Sequence, residues 1–284
     1  GRPVPAALSR RYRLRARVGL ANVRSYLGLQ NLANALTGAA PVPPDLVKWY
    51  MALGIDLLEA FGMTESSGTV TAMPRAAIRI GFAGKAAPDV EVKLSDEGEL
   101  LVRGPNVFAG YWNQPELTRQ TIDRAGWLHT GDVAEIDAQG YVGIRDRMKD
   151  IIITSGGKNI TPTAIESLLK FSPYISDAVV IGEAKRYITC LVMLDQDNVA
   201  QFAQTKQVPF TDYGSLVRAE EVIALVRAEI ETANAKLARV EQIKDFRIID
   251  VLLTPEDEEL TPTMKLKRKV IHRKYGTLID SMYQ

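Results

Sequence analysis

The residue types with the most chemical content lie between Gly126 and Ile160, in GWLHTGDVAEIDAQGYVGIRDRMKDIIITSGGKNI. This stretch holds an acidic residue in a turn (Asp132), an apolar run ending in Arg145, Asp146 and Arg147, and a Gly156-Gly157 turn. An ionised carboxylate only accepts hydrogen bonds, whereas a guanidinium offers several donors, so Asp132 and Arg147 can grip a polar ligand from two sides. Lys149-Asp150 abuts the apolar run Ile151 to Ile153. The pattern is a polar pocket followed at once by a pivot. Further off, Glu65 follows Gly62-Met63-Thr64, and Lys265 sits in a basic tail. Each has a plainer reading on residue type alone. Aspartate after glycine is ordinary turn chemistry. Thr64 is a helix cap, Glu65 a surface carboxylate at a helix start, and Lys265 one solvated lysine beside Lys267 and Lys269.

The elements that must position these residues follow from pattern. Asn31 to Leu36 reads as a short strand running into Gly38-Ala39-Ala40, and Pro43-Pro44 opens a helix over Asp45 to Leu53, closed by Gly54. Ile55 to Ala60 is a second short strand, running into Phe61-Gly62-Met63-Thr64-Glu65. Strand, helix, strand predicts a parallel sheet with a site at its carboxyl edge. From Ile78 to Ile144, short apolar stretches alternate with Gly, Pro, Asn and Asp, predicting an antiparallel barrel or small sheet. Trp127 to His129 and Val133 to Ile136 read as separate strands, with Gln139-Gly140 turning the second into Tyr141 to Ile144. Beyond Lys149 the chain predicts a compact α+β unit. Thr161 caps a helix starting at Pro162, with Thr163 and Glu166 at capping-box spacing. Strands follow at Ala178 to Ile181, Tyr187 to Leu194 and Phe246 to Val251. One amphipathic helix spans Val217 to Leu237.

Composition sets bounds. The 284 residues are 46% hydrophobic and 24% charged, enough for two domains with real cores. A net charge of +1 gives no bulk attraction to nucleic acid. One cysteine, Cys190, excludes an internal disulfide framework, and two histidines, His129 and His272, argue against a His-based zinc site. No run approaches a membrane span and no signal-peptide pattern opens the chain, so a cytosolic, soluble protein is expected. The first acidic residue is Asp45, after seven arginines; such a cluster suits a solvated helix face, phosphate ligands or an anionic membrane surface.

Six stretches occur in one order: Phe61 to Glu65 (FGMTE), Gly98 to Pro105 (GELLVRGP), Trp127 to Asp132 (WLHTGD), Asp146 to Asp150 (DRMKD), Ser155 to Lys158 (SGGK) and Thr261 to Lys265 (TPTMK). Together they resemble the successive core motifs of the acyl-adenylate-forming enzymes. Asp150 to Ile160 and Glu259 to Ile271 most resemble long-chain fatty acyl-CoA synthetases. The resemblance implies an ATP-dependent ligase that makes acyl-AMP and then acyl-CoA, with ATP, Mg2+ and coenzyme A as the groups it handles. It also implies a fold: the C-terminal part of a large adenylate-forming domain, followed by a small mobile α+β domain. Its large-domain part comprises a parallel sheet layer and a small antiparallel β-barrel. The expected boundaries are 1–75 for the α/β remnant, 76–147 for the barrel, 148–150 for a hinge and 151–284 for the mobile domain.

The resemblance assigns roles residue by residue. Glu65 would hold Mg2+ against the phosphates, and Thr64 would donate to the α-phosphate or substrate carboxylate. Phe61, with Gly62 and Met63, would face adenine; a plain core aromatic is the other reading of Phe61. Relatives often carry Tyr there. Gly38, Ala39 and Ala40 would line the nucleotide and acyl channel. Asp132 would accept from the ribose hydroxyls and Arg147 would reach ribose or phosphate. Lys265 would be the catalytic cation of adenylation and Lys149 the pivot. Ser155, Gly156, Gly157 and Lys158 would border the coenzyme A path. The family's Ser/Thr/Gly-rich phosphate loop is absent from these 284 residues, which match only about the C-terminal half of a family chain, so alone they are not expected to run a full cycle. Two rival readings stay open: a ligase loading acyl-AMP onto a carrier protein, and a non-catalytic nucleotide- or CoA-binding fragment. Acyl chain length, a homodimer and peripheral attachment to a membrane surface are left open as well.

Overall fold

A computed structural model describes Leu8 and residues 19–254, 256–261 and 266–284. The Arg-rich start lies largely outside them. The chain divides into two compact units between Ile144 and Arg145.

The first unit begins, after a short helix α1 (Ala21–Tyr26), with a βαβ step: β1 (Ala35–Thr37), α2 (Pro44–Ala52) and β2 (Leu57–Phe61). Pro44 opens α2, where a missing N–H costs nothing, and Gly54 takes φ +79 just past its end. β1 and β2 pair in parallel, Thr37 opposite Glu59. Both strands therefore deliver their following loops to one end, as the sequence predicts. β3 (Thr71–Ala72) and β4 (Lys85–Ala86) extend this sheet antiparallel. The second sheet has the order β5 (Glu91–Leu94), β6 (Glu99–Arg103), β7 (Leu128–Ile136), β8 (Val142–Arg147). Helix α3 (Pro115–Thr121) lies in the β6–β7 connection. The inner residues Val70, Leu100, Val102, Leu128, Ala134 and Val142 form its core. The Gln139-Gly140 turn is present; Gly140 takes φ +79 and Asp137 Oδ1 accepts the Gln139 and Tyr141 N–H groups at 2.8 and 3.0 Å. The two strands expected around Thr130-Gly131-Asp132 are instead one nine-residue strand, β7. What reads as a turn is a bulge inside it.

In the second unit a short hairpin, β9 (Ile152–Ile153) and β10 (Asn159–Ile160), precedes α4 (Pro162–Leu169). Then come β11 (Ile175–Ile181), β12 (Ile188–Leu194), α5 (Gln196–Lys206), α6 (Tyr213–Arg218), α7 (Glu220–Asn234) and β13 (Ile243–Ile248). Helices α8 (Arg268–Lys274) and α9 (Gly276–Asp280) follow. β12 is central, antiparallel to β11 and parallel to β13. Its Ile188, Cys190, Val192 and Leu194 join the core under α4 and α7, while Leu191 joins Ile271, Ile279 and Met282 on the opposite face. Layers on both faces explain why all seven residues of β12 are buried.

Two local expectations are corrected here. The helix expected over Val217 to Leu237 is two helices, α6 and α7, broken at Ala219, whose ψ of 135° is extended. The break turns the chain so that Leu216 and Val217 share one core with Val222, Val226 and Ile230. Asp212, not an internal residue, starts the first of them, capping Ser215 N–H at 2.7 Å. Thr161 makes no cap hydrogen bond to α4, and Thr163 and Glu166 form no capping box. The helix start is served from strand β8: Asp146 Oδ2 accepts from Thr163 N–H at 2.9 Å and Oδ1 from Thr163 Oγ1 at 2.6 Å. Asp146 is buried, so its charge needs these donors. Asp146→Ala is expected to lower the stability of this unit by about 2 kcal/mol, read as a lower urea midpoint.

Candidate functional site

The first unit holds one group of the expected site residues. Gly38, Ala39 and Ala40 leave β1 exposed, and a Cβ on Gly38 would lie 2.8 Å from the Ala60 carbonyl oxygen of β2. Phe61 to Glu65 leave the adjacent strand. Here the chain folds back hard. Thr64–Ser66 form one 3-10 turn, Gly68 N–H donates to Met63 O at 3.1 Å and Val70 N–H to Phe61 O at 2.9 Å. A Cβ on Gly62 would fall 1.4 Å from the Gly68 carbonyl oxygen, so only glycine fits. Phe61 and Met63 are half-buried against the inner core of the second sheet. Thr64 stays exposed at the tip.

Four residues that the motifs did not single out hold this tip. Ser66 is fully buried; its Oγ accepts from Met63 N–H at 3.1 Å and donates to Met63 O at 2.9 Å. Asn106 Nδ2 donates to Ser66 O at 3.3 Å and Thr69 O at 3.2 Å. Phe108 N–H donates to the Glu65 carbonyl at 2.8 Å, and the Tyr111 hydroxyl donates to Glu65 Oε1 at 2.7 Å. Burial, then the Glu65 carboxylate, push the Tyr111 phenol up, so it remains a donor. Asn106 follows Gly104-Pro105 and was within reach of motif reasoning. Tyr111 lies 46 positions from Glu65, too far for any local spacing rule.

Among the described residues no group of three or more His, Cys, Asp or Glu could hold a metal ion by itself. Glu65 alone still fits Mg2+, which keeps waters and takes one or two carboxylates besides substrate phosphates. With Oε1 engaged by Tyr111, Oε2 is the oxygen left for such an ion.

Asp132 lies on β7 and is 3% exposed, on the buried face that alternates with His129, Gly131 and Val133. Leu128 and Ala134, on that same face, belong to the core that Phe61 and Met63 cover. Phe61, Met63, Leu128 and Ala134 thus meet in one apolar cluster, to which the strand bearing Asp132 contributes.

Arg147, Lys149, Ser155 to Lys158 and Lys265 belong to the second unit. Arg147 is exposed at the end of β8, and Lys149 is exposed in a 3-10 turn, Met148–Asp150. Thr154 to Lys158 form the hairpin loop between β9 and β10. Gly157 N–H donates to Thr154 O at 2.8 Å, and Lys158 N–H to Thr154 Oγ1 at 3.1 Å. Gly157 needs glycine for its own backbone, φ +69. Gly156 does not: a Cβ there would meet only Thr154 Oγ1, at 3.9 Å. Ser155, Gly156, Gly157 and Lys158 are all exposed.

Lys265 lies outside the described residues, which resume at Leu266. Leu260 pairs with Leu266, and Lys267 N–H donates to Glu259 O at 2.7 Å. Arg268 reaches the core, donating to Val180 O and to Glu166 Oε1, each at 2.7 Å. Burial pushes the Glu166 carboxyl up while the Arg268 guanidinium pulls it back.

Among the described residues no helix is long and apolar enough to cross a membrane. Residues 4–112 match the family described as AMP-binding enzyme, and residues 149–284 match the AMP-binding enzyme C-terminal domain. The chain is 41% identical over 265 residues to fadD11 of Mycobacterium tuberculosis, provisionally named a fatty-acid–CoA ligase; the match covers 93% of this chain and 46% of that protein. It is 37% identical to the long-chain-fatty-acid–CoA ligase FadD15 of Mycobacterium bovis, over 92% of this chain and 43% of the relative. It therefore spans less than half the length of these curated relatives. Among solved structures, ATP-bound MatB from Rhodopseudomonas palustris superposes with a TM-score of 0.60 at 28% identity, over 86% of this chain and 45% of the other. Two consecutive family matches, in the order in which the two units occur, establish that the chain belongs to the AMP-binding enzymes.

Proposed function

We propose that the intact protein activates a long-chain fatty acid with ATP and transfers the acyl group to coenzyme A. What supports this reading is the turn that bears Thr64 and Glu65: Phe61 and Met63 pack it on the core to which the strand of Asp132 contributes Leu128 and Ala134, and the Tyr111 hydroxyl donates to Glu65. The names of the relatives supply the substrate class.

A carboxylate is a poor acyl donor, because oxide is a poor leaving group. In the first half-reaction a fatty-acid carboxylate oxygen attacks the α-phosphorus of ATP; the new O–P bond forms as the bond to pyrophosphate breaks. In the second, the sulfur of coenzyme A bonds to the acyl carbon, AMP leaves, and the thiol proton goes to solvent. The first step crowds anions, so cations and donors must stand where charge gathers. Thr64, exposed at the tip of its turn, donates to the α-phosphate or the carboxylate. Bound Mg2+ would neutralise phosphate charge, with Glu65 as its protein ligand. Asp132 accepts from the ribose hydroxyls, Arg147 donates to ribose or phosphate, and Phe61 with Gly62 and Met63 flanks adenine. Gly38, Ala39 and Ala40, small and exposed, leave the backbone open to the ligand. Lys265, a compact ammonium, bridges carboxylate and α-phosphate. Ser155 to Lys158 border the path of the coenzyme A arm. We place this chemistry in the cytoplasm, where a free buried thiol such as Cys190 is at home.

The reading further holds that the second unit turns about Lys149 between the half-reactions. Lys149→Pro is expected to leave fatty-acid-dependent pyrophosphate exchange within about twofold and to slow thioester formation about 10-fold or more. Equal loss of both would remove the pivot from the mechanism. The overall assignment is tested by fatty-acid-dependent ATP–pyrophosphate exchange with the intact protein, followed by acyl transfer to coenzyme A or to a carrier protein. No exchange with any fatty acid would refute it.

A further inference from the structure

The bulge in β7 has an unusual support. Between Glu99 opposite Val133 and Leu101 opposite His129, β6 advances two residues while β7 advances four. The surplus residues bring Gly131 to φ +71 and take the N–H groups of Gly131 and Asp132 out of the strand ladder. Side chains receive both. Glu99 Oε1 accepts from Gly131 N–H at 2.8 Å, and Thr130 Oγ1 accepts from Asp132 N–H at 3.1 Å while donating to Leu100 O at 2.7 Å. The other oxygen of Glu99, Oε2, lies 2.8 Å from His129 Nδ1. Glu99 is only 9% exposed. A carboxylate in that setting is costly unless its partners require it, and both of its partners lie within three residues of Asp132.

We infer that Glu99 is a positioning residue for Asp132: seated in the bulge, it fixes the Gly131 peptide and His129, and so aims the Asp132 carboxylate. This rests on the reading that Asp132 accepts from the ribose of a bound adenine nucleotide. An ordinary strand register would give β7 no such corner. A carboxylate is suited to hold one, because its two oxygens can serve a backbone N–H and a ring nitrogen at once. His129 is thereby oriented by a charged group and not by the strand.

The test uses the intact protein and compares the affinities of AMP and 2′,3′-dideoxy-AMP by titration calorimetry. The wild type is expected to prefer AMP by about 10-fold or more, the order expected of hydrogen bonds to a charged group. Asp132→Asn should abolish most of that preference. Glu99→Gln keeps the shape but offers a weaker acceptor and an NH2 group in place of one oxygen; it should cut the preference by about threefold or more, with an unchanged melting temperature. Glu99→Leu should cut it further. A Glu99→Gln protein with the full wild-type preference overturns the inference, as does an equal weakening of both nucleotides, which marks a merely structural role. If Asp132→Asn leaves the preference intact, or the wild type shows none, the ribose reading of Asp132 falls and takes the inference with it. If Asp132→Asn abolishes it and Glu99→Gln does not, only the inference falls.

Discussion

Replacing Lys265 by alanine is expected to lower fatty-acid-dependent pyrophosphate exchange by about 10²–10³-fold, the usual effect of deleting one preorganised group that meets developing charge. Acyl transfer to coenzyme A from added acyl-AMP should change by no more than about twofold. The split follows from where charge appears. In the first half-reaction a carboxylate approaches a polyphosphate, and an ammonium is worth most there. In the second the attacking sulfur meets an acyl carbon already activated, and the charge that develops on the departing AMP phosphate is smaller than that of a carboxylate pressed against a triphosphate. The control is the neighbouring positive charge. The Lys267 and Lys269 side chains are exposed, and Arg268 is spent on Glu166 and Val180. Lys267→Ala and Lys269→Ala should therefore leave both half-reactions near wild type. Equal loss of exchange in Lys265→Ala and Lys267→Ala would mean that the tail acts only through bulk charge. Equal loss of both half-reactions in Lys265→Ala would deny the lysine a step of its own.

That Lys265 could be singled out at all depended on its setting in a motif, and the same holds for most of the candidate site. Local signals served where physics is local. Pro43-Pro44 and Gly54 bracket α2, and the helix spans Pro44–Ala52. Alternation and turn residues placed the hairpin at Gln139-Gly140. What failed were the decisions made at long range. Asp146 and Thr163 are 17 residues apart, and nothing in either segment says that a strand residue will serve a helix start better than the adjacent Thr161. Ala219 breaks a helix without glycine or proline, because the turn is set by the shared core of Leu216 and Val222 and not by propensity. Thr130-Gly131-Asp132 has turn composition, yet it remains in a strand since Glu99, 32 positions before Gly131, supplies the acceptor that the ladder lacks. The residues expected to touch ligand were legible from their types. Those that hold them in place across long separations (Glu99, Tyr111) were not, because their work is defined only by contacts.

The two glycine positions, Gly62 and Gly156, should separate under the same substitution, and the structure says how. Gly62→Ala is expected to cost about 3 kcal/mol of stability and with it the binding of nucleotide. Its Cβ would sit 1.4 Å from a backbone oxygen, and backbone cannot step aside as a flexible side chain can. Relief would require breaking the return of the chain, in which Gly68 N–H bonds to Met63 O and Val70 N–H to Phe61 O. Thr64 and Glu65 ride on that return, so fold and site should fail together. Gly156→Ala meets no such wall; its Cβ would stand 3.9 Å from Thr154 Oγ1 and otherwise in open space. Its melting temperature should match wild type. Adenylation should persist, yet acyl transfer to coenzyme A should slow about 10-fold or more if the thiol arm passes this loop, since small displacements of reacting groups are that expensive. The measurement is a thermal melt beside the two half-reactions for each variant. A Gly156→Ala protein with normal acyl transfer would free this position from coenzyme A, and a Gly62→Ala protein that melts normally would contradict the folded-back turn. A glycine that the fold does not need, beside one that it does, is where a passing ligand becomes the better explanation.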